Sequence, residues 1–356
     1  MQCQIIDTRD HKVVKSDIYN YIFDKQSGFH VRWGHTQAEN PRFGFFGPEL
    51  LDISITNKCV PGNCKYCYQN AKPTNNTEIS IEQLEKLLDI IPKTVTTIAL
   101  GGGSVECHSN FIDVLRLIRE HGIVPNYTTS GKLLTDAIVA ATASYCGAVA
   151  VSYHGDWRVV FDALKEFRAA GMTQTNVHYV LSEHNVDDAI ILLKQKNADF
   201  NNINAVVFLL YKPQGRASQD GVLQSRDKIA AFIDTARECK SFKVGFDSCS
   251  VPMLLKHANS EDIEMLKMLA EPCESALFSY YIDSDLKGYP CSFCKGHIEP
   301  IQLGFGKDLN FMNDVWYHPI TKQFRRKNMA STLNCAQCNH TEYCGKCVIY
   351  PEITRC

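Results

Sequence analysis

The stretch LLDISITNKCVPGNCKYC, residues 50–67, sets an apolar, β-branched run directly ahead of three cysteines, Cys59, Cys64 and Cys67. The run reads as a strand, and the loop behind it gathers three thiols within nine residues. A four-iron cluster held by only three thiolates keeps one iron open to something other than protein. Structural zinc, by contrast, normally takes four ligands. Alone, the triplet fits either an incomplete iron–sulfur cage or a zinc knuckle that recruits its fourth ligand from a distance.

Composition narrows the class. The chain has 356 residues, 45% of them hydrophobic, which is enough for a large core and about two domains. Lys and Arg number 37 against 39 Asp and Glu, with no long like-charge run, and this disfavours a nucleic-acid partner. The N-terminal MQCQIIDTRDHKVV lacks the apolar core of a signal peptide, and no stretch approaches a membrane span, so the expected location is cytoplasmic, without a membrane partner. In a reducing compartment the sixteen cysteines read as metal ligands rather than disulfides. Three lie in residues 59–67, eight lie between Cys273 and Cys356, and five are scattered.

Between the two cysteine fields one theme repeats: an apolar run followed by an amphipathic stretch. Strands are expected over 51–57, 96–103, 124–130, 148–154, 175–182 and 205–212. Helices are expected over 80–91, 109–121, 132–141, 157–170, 186–196 and 224–239. Six strand–helix units in succession imply an α/β fold with a parallel sheet, two units short of a closed barrel. Active sites in such sheets lie at the carboxyl ends of the strands, and the cysteine triplet falls just beyond the first one.

With Tyr66 before the last cysteine, the glycine-rich turn Gly101, Gly102 and Gly103 after the second strand, and the six-unit half-barrel, the chain from about residue 50 onward resembles the radical S-adenosylmethionine (SAM) superfamily. The resemblance implies a partial (β/α)6 TIM-like barrel over 51–245, a small hairpin region over 1–50 and a Cys-rich domain over 246–356. It implies a 4Fe-4S cluster on Cys59, Cys64 and Cys67 whose open iron binds SAM, and cleavage of SAM to a 5'-deoxyadenosyl radical that takes a hydrogen atom from the substrate. A reducing partner such as flavodoxin or ferredoxin would supply the electron. The loop departs from the family pattern by one extra residue, which Pro61 and Gly62 can absorb in a tight turn. The acidic residue that family members place after the glycines to hold the SAM amino group is Ser104 here. Either Glu106 reaches back, or the Ser104 hydroxyl serves. The glycines also suit a plain strand-to-helix turn. Thr128, Thr129, Ser130, Ser152 and His154 stand at strand ends where the family contacts SAM. His178 reads equally as core packing, and Arg216 in YKPQGRA as a partner for a carboxylate or part of a surface turn.

The C-terminal third carries Cys273, Cys291 and Cys294 around an expected β-hairpin, then Cys335, Cys338, Cys344, Cys347 and Cys356. This resembles the SPASM extension, which binds two auxiliary clusters, with NDVWYHPITKQFR as the helix between them. The family's crossing pattern gives Cys335, Cys338, Cys344 and Cys356 to one cluster. Cys273, Cys291 and Cys347 fall to the other, with Cys294 the nearest candidate fourth ligand. CAQC and CGKC also suit a zinc ribbon. Cys249 reads as a hydrogen-atom donor, a cluster ligand or a buried small residue, and Asp247 as a general base or a helix cap.

Members of this architecture mostly modify peptides or proteins, by crosslinking, thioether formation, epimerisation or formylglycine formation. The last needs an acidic residue after Cys291, where Ser292 stands. The 58 residues before Cys59 leave too little room for a winged-helix leader-binding domain. Two other readings stay open: a radical dehydrogenase acting on a small molecule, and a non-catalytic zinc or iron–sulfur protein that recognises a partner.

Overall fold

The computed structural model describes residues 3–36, 39–62, 64–304, 309–330 and 344–353. Its centre is a ten-stranded sheet. Seven strands run parallel in chain order: β5 Leu50–Thr56, β6 Thr97–Gly102, β7 Val124–Thr129, β8 Ala148–Ser152, β9 Thr175–Leu181, β10 Ala205–Leu210 and β11 Lys243–Phe246. Helices α1 Ile81–Ile90, α2 Phe111–Glu120, α3 Asp136–Tyr145, α4 Trp157–Ala169, α5 Val186–Lys194 and α6 Arg226–Glu238 alternate with them. Parallel neighbours need such crossovers, and the helices bury one face of the sheet.

Side-chain alternation along β5 sets what each face does. Leu51, Ile53 and Ile55 are at most 1% exposed and pack with Leu84, Leu87 and Leu88 of α1 in the main core. Each such side chain contributes roughly 1.5–3 kcal/mol. Asp52 and Ser54 fall on the opposite face by the period of two. Helix α1 starts where Ser80 and Gln83 form a capping box, two otherwise orphaned N–H groups being satisfied reciprocally. The expected helix over 132–141 begins later, at Asp136. Thr135 caps it through Ile138 N–H, and the Thr129 hydroxyl accepts from Gly131 N–H and holds the preceding residues in a turn.

Two additions extend the expected six strands. The short run VGF pairs as β11 on one edge. On the other edge β12 Ser279–Ile282 pairs parallel with β5, Tyr281 opposite Asp52, and turns back antiparallel as β13 Lys287–Tyr289 and β14 Ile301–Gln302. The Cys-rich third thus continues the barrel's own sheet. A π-helical turn Phe311–Trp316 and helix α9 Pro319–Ala330 follow, where a connecting helix was expected.

The N-terminal region is not a short hairpin. It is a four-stranded antiparallel meander, β1 Gln4–Asp7, β2 His11–Lys15, β3 Asn20–Asp24 and β4 His30–Trp33. The segment FGFFGPE, residues 43–49, lies outside its strands. Lys12 Nζ donates to Val95 O at 2.6 Å and Tyr21 Oη to Thr94 O at 2.6 Å. Those carbonyls lie just before β6, so the meander covers the amino ends of the parallel strands. The cysteine loop lies at the other end. Among the described residues no helix is long and apolar enough to cross a membrane.

Candidate functional site

The cysteine loop leaves β5 after Thr56, where the β5–β6 register shifts between Ser54 and Thr56. Bulges of this kind commonly sit beside active sites. Thr56 O accepts from Gly103 N–H at 2.7 Å and Lys58 O from Ser104 N–H at 3.0 Å, which presses the glycine turn against the base of the loop. Gly62 N–H returns to Cys59 O at 3.1 Å, closing a turn around Val60 and Pro61 that takes up the added residue. Burial raises the thiols of Cys59 and Cys64, and their charges and that of Cys67 raise them further. Mutual repulsion of this kind is relieved when a cation or cluster accepts the thiolates.

The loop after β10 holds the cysteines from outside. Among the described residues Arg216 pairs with no carboxylate: Nε donates to Cys64 O at 3.0 Å, Nη1 to Ala71 O at 2.8 Å and Asn70 Oδ1 at 3.2 Å, and Nη2 to Gly62 O at 3.2 Å. Its own N–H donates to Cys67 O at 3.0 Å. Gly215 has φ +68°, and a Cβ there would lie 2.4 Å from Cys67 O, so only glycine lets the two loops touch.

Across the loop, Tyr66 Oη lies 2.9 Å from His154 Nδ1, and that nitrogen is 3.6 Å from Cys64 Sγ. His154 therefore stands at the cysteine loop. Burial, then Lys132, lowers its pKa and favours the neutral ring, while burial beside Cys64 pushes Tyr66 up to about 12.

The glycine turn has two sides. A Cβ on Gly102, φ +113°, would meet Ser54 Oγ and Thr56 O at 2.2 Å, and one on Gly103 would meet Lys58 O at 1.9 Å. These two glycines are explained by packing against β5. Gly101 has nothing within 4 Å of that position, so it faces open space. Ser104 Oγ turns to Cys59 Sγ at 3.7 Å. The Glu106 carboxyl is enclosed beside Thr129, neither oxygen has a hydrogen-bond partner among the described residues, and burial raises its pKa against the pull of the Thr129 hydroxyl. A buried carboxyl of this kind fits a ligand that brings its own ammonium group, as SAM does.

The remaining strand-end candidates are less free. Thr128 Oγ1 contacts His178 Nδ1 at 3.2 Å, Thr129 is committed to Gly131, and Ser130 Oγ accepts from Lys132 N–H at 3.4 Å. Ser152 ends β8 opposite His178 in register. His178 faces the barrel interior, where burial lowers it to about 4 against the pull of Asp247.

A second group of thiols lies past β10 and β13. Cys273 Sγ donates to Ser275 Oγ at 3.3 Å, Phe293 N–H donates to Cys291 Sγ at 3.5 Å and Tyr350 N–H to Cys347 Sγ at 3.3 Å. A hydrogen bond from the Cys294 thiol holds Cys291 low, at about 6, while Cys294 is pushed up and Cys273 rises to about 11 by burial. Cys294 packs with Ala276, Tyr281 and Tyr289, whereas Cys344 packs with Val251 and Leu255. Cys335, Cys338 and Cys356 lie outside the described residues. Cys249 is enclosed within electrostatic reach of Lys212, Cys273 and Cys347. Asp247 accepts from Leu210 N–H at 3.1 Å and Ser250 Oγ at 2.6 Å, and lies 3.7 Å from Lys212 Nζ.

Among the described residues no three His, Cys, Asp or Glu side chains converge on a single ion. The sulfurs of one tetrahedral zinc would stand about 3.8 Å apart. Thiolates on different irons of a cluster need not approach so closely.

Residues 53–155 match the Radical SAM superfamily. The matched stretch runs from within β5 through the cysteine loop and the glycine turn to just past β8. Mycofactocin maturase MftC of Mycolicibacterium smegmatis is 24% identical over 159 residues, 40% of this chain and 40% of that protein, so the match spans two-fifths of the curated relative's length. In fold the chain is similar to Streptococcus suis SuiB bound to its precursor peptide SuiA, with TM-score 0.72 and 15% identity over 97% of this chain and 96% of that one. It is also similar to SuiB bound to SAM, TM-score 0.68 with 14% identity over 97% and 96%. A third is anSMEcpe with bound SAM and a Cp18Cys peptide, TM-score 0.63 with 14% identity over 84% and 89%.

Sequence reasoning missed three participants. From sequence Arg216 reads as a partner for a carboxylate or part of a surface turn, without its contacts to the cysteine loop, and Lys212 and Asp52 have no reading. Asp52 lies in the opening strand itself, and burial, with Cys291 nearby, lifts it to about 7. A charged residue inside an apolar strand or at its carboxyl end was the available signal.

Proposed function

We propose that the protein is a radical SAM enzyme that abstracts a hydrogen atom from a peptide or protein substrate, leading to a crosslink, a thioether or an epimerised residue. The observation that carries this is the three-cysteine loop seated on the glycine turn, with Gly101 facing open space. Cys59, Cys64 and Cys67 would hold the first cluster, and Gly101, Ser104 and Glu106 would hold SAM, the carboxylate taking its ammonium group. When bound, the cluster and SAM together supply the electron and the carbon-centred radical.

The chain's own residues bind and orient. Arg216 and Gly215 fix the cysteine loop through its carbonyls, and the meander closes the amino end of the sheet, leaving the carboxyl end for substrate. Cys273, Cys291 and Cys347 with either Cys294 or Cys249 would hold one auxiliary cluster, and Cys335, Cys338, Cys344 and Cys356 a second. A peptide substrate is supported by relatives: MftC is a maturase, and SuiB and anSMEcpe bind peptides in their structures.

The test is anaerobic incubation of reconstituted protein with SAM and dithionite. We expect 5'-deoxyadenosine, and none from the Cys59→Ala, Cys64→Ala, Cys67→Ala variant. A wild-type protein with its cluster intact and no product would overturn the reading.

A further inference from the structure

Lys212 is deeply enclosed at the carboxyl end of the parallel sheet, its side chain 2% exposed. It follows Tyr211 at the carboxyl end of β10. Among the described residues its ammonium makes one hydrogen bond, to Leu210 O at 3.2 Å, and it lies 4.4 Å over the Phe293 ring. The nearest carboxylate, Asp247, stands 3.7 Å away and already accepts from Leu210 N–H and Ser250.

That surrounding is short of negative charge. An ammonium taken out of water costs several kcal/mol unless a counter-charge is close and its N–H groups are satisfied. Three donors are available and one is used. What else faces it is sulfur: Cys249, Cys347 and Cys291 act on it electrostatically, and Phe293 ties the ring beneath it to Cys291 through its N–H. As thiolates on a metal cluster, whose net charge is negative, these sulfurs would supply the counter-charge that Asp247 gives only from 3.7 Å.

We propose that Lys212 is the buried counter-cation of the metal–thiolate cluster at Cys273, Cys291 and Cys347, and that its charge holds that cluster's reduction potential up. This rests on the auxiliary-cluster reading above. The physical step is direct. Reduction adds one negative charge to a cluster whose potential depends on net charge and nearby dipoles. A fixed cation in a low-dielectric site stabilises the reduced form more than the oxidised form, because its attraction grows with the cluster's charge. Lys212 thus acts through the cluster, as a positioning and tuning residue, and needs no contact with substrate.

The experiment uses the full chain carrying Cys59→Ala, Cys64→Ala and Cys67→Ala, so that only auxiliary clusters contribute, reconstituted anaerobically and titrated with dithionite under electron paramagnetic resonance. Iron and sulfide are counted first. Lys212→Met should keep its iron and move one potential to a more negative value by at least tenfold in the one-electron equilibrium, about 59 mV. Lys212→Arg, which keeps the charge, should stay near the parent. Loss of one cluster in the Met variant with retention in the Arg variant would support the same charge requirement.

An unshifted potential in a fully loaded Met variant overturns the proposal while leaving the auxiliary clusters standing. Equal shifts, or equal cluster loss, in the Met and Arg variants also overturn it, since packing rather than charge would then be responsible. A parent protein with no iron beyond the triplet's share overturns the auxiliary reading itself and the proposal with it.

Discussion

Glu106 is the side chain at which the proposed SAM site can be tested one residue at a time. Its carboxyl is enclosed, without a partner, and raised by burial. A raised acid favours the protonated native state, so its stability is fully present below the unfolded value near 4.3 and declines as pH rises through the folded value. Glu106→Gln removes that titration. Without SAM the variant should therefore match wild type near pH 4 and exceed it at pH 8 in chemical denaturation. Its SAM affinity should fall at least tenfold, roughly 1.4 kcal/mol, in equilibrium dialysis. Unchanged affinity would remove Glu106 from the SAM site. A stability gain alone would leave it as an ordinary buried acid.

At the scale of elements, the contact between the cysteine loop and the loop after β10 carries a second expectation. Arg216 satisfies four acceptors around the cysteines, each a charge-assisted bond of about 1.5–3 kcal/mol. Arg216→Lys keeps the charge but not the planar fork, so the loop should lose its seat while the sheet stays folded. Reconstituted protein should bind several-fold less iron at the triplet, with unchanged far-ultraviolet circular dichroism. Full iron loading in the variant would refute this. The same contact shows what could be read beforehand. The repeating strand–helix theme was legible because each unit carries its own period and punctuation, down to the Ser80 capping box. The meander was not, since β1 to β4 are four or five residues long and His11, Lys12, Lys15, Asp24 and Arg32 interrupt their apolar pattern. Nor was the pairing of β12 with β5, which joins residues more than two hundred apart and leaves no local mark. The cysteine triplet marks a candidate site by its spacing alone, whereas the neighbours of Arg216 and Lys212 are brought to them by distant stretches that leave no local mark.

At the scale of the whole molecule, one guanidinium joins three parts of the chain. Arg32 on β4 donates through Nε to Glu49 at 2.7 Å, just before β5. Its Nη1 and Nη2 reach Glu271 at 2.8 and 3.1 Å, Nη2 reaches Glu274 at 3.2 Å, and the group stacks 3.8 Å over Phe278, all between α8 Ser260–Leu269 and β12. Meander, parallel sheet and Cys-rich segment therefore share one charge network, buried at Arg32 and Glu49 and half-exposed at Glu271, with more acids than bases. Glu274 is held high and Glu271 low, at about 2, so the two divide one proton between them, while burial raises Glu49. Arg32→Met strands Glu49 in an apolar site, and removing one partner of a buried pair costs about 3–5 kcal/mol. The loss must depend on pH. Without the guanidinium, Glu49 rises further above its unfolded value near 4.3, and the native state is then penalised as pH rises through the new folded value. The variant should approach wild type near pH 4.5 and fall furthest behind at pH 8, and at pH 8 the meander should be the first segment cut in limited proteolysis. An equal deficit at both pH values would mean that Arg32 acts by packing on Phe278 rather than by charge. No deficit at either would mean that the three parts hold together without it.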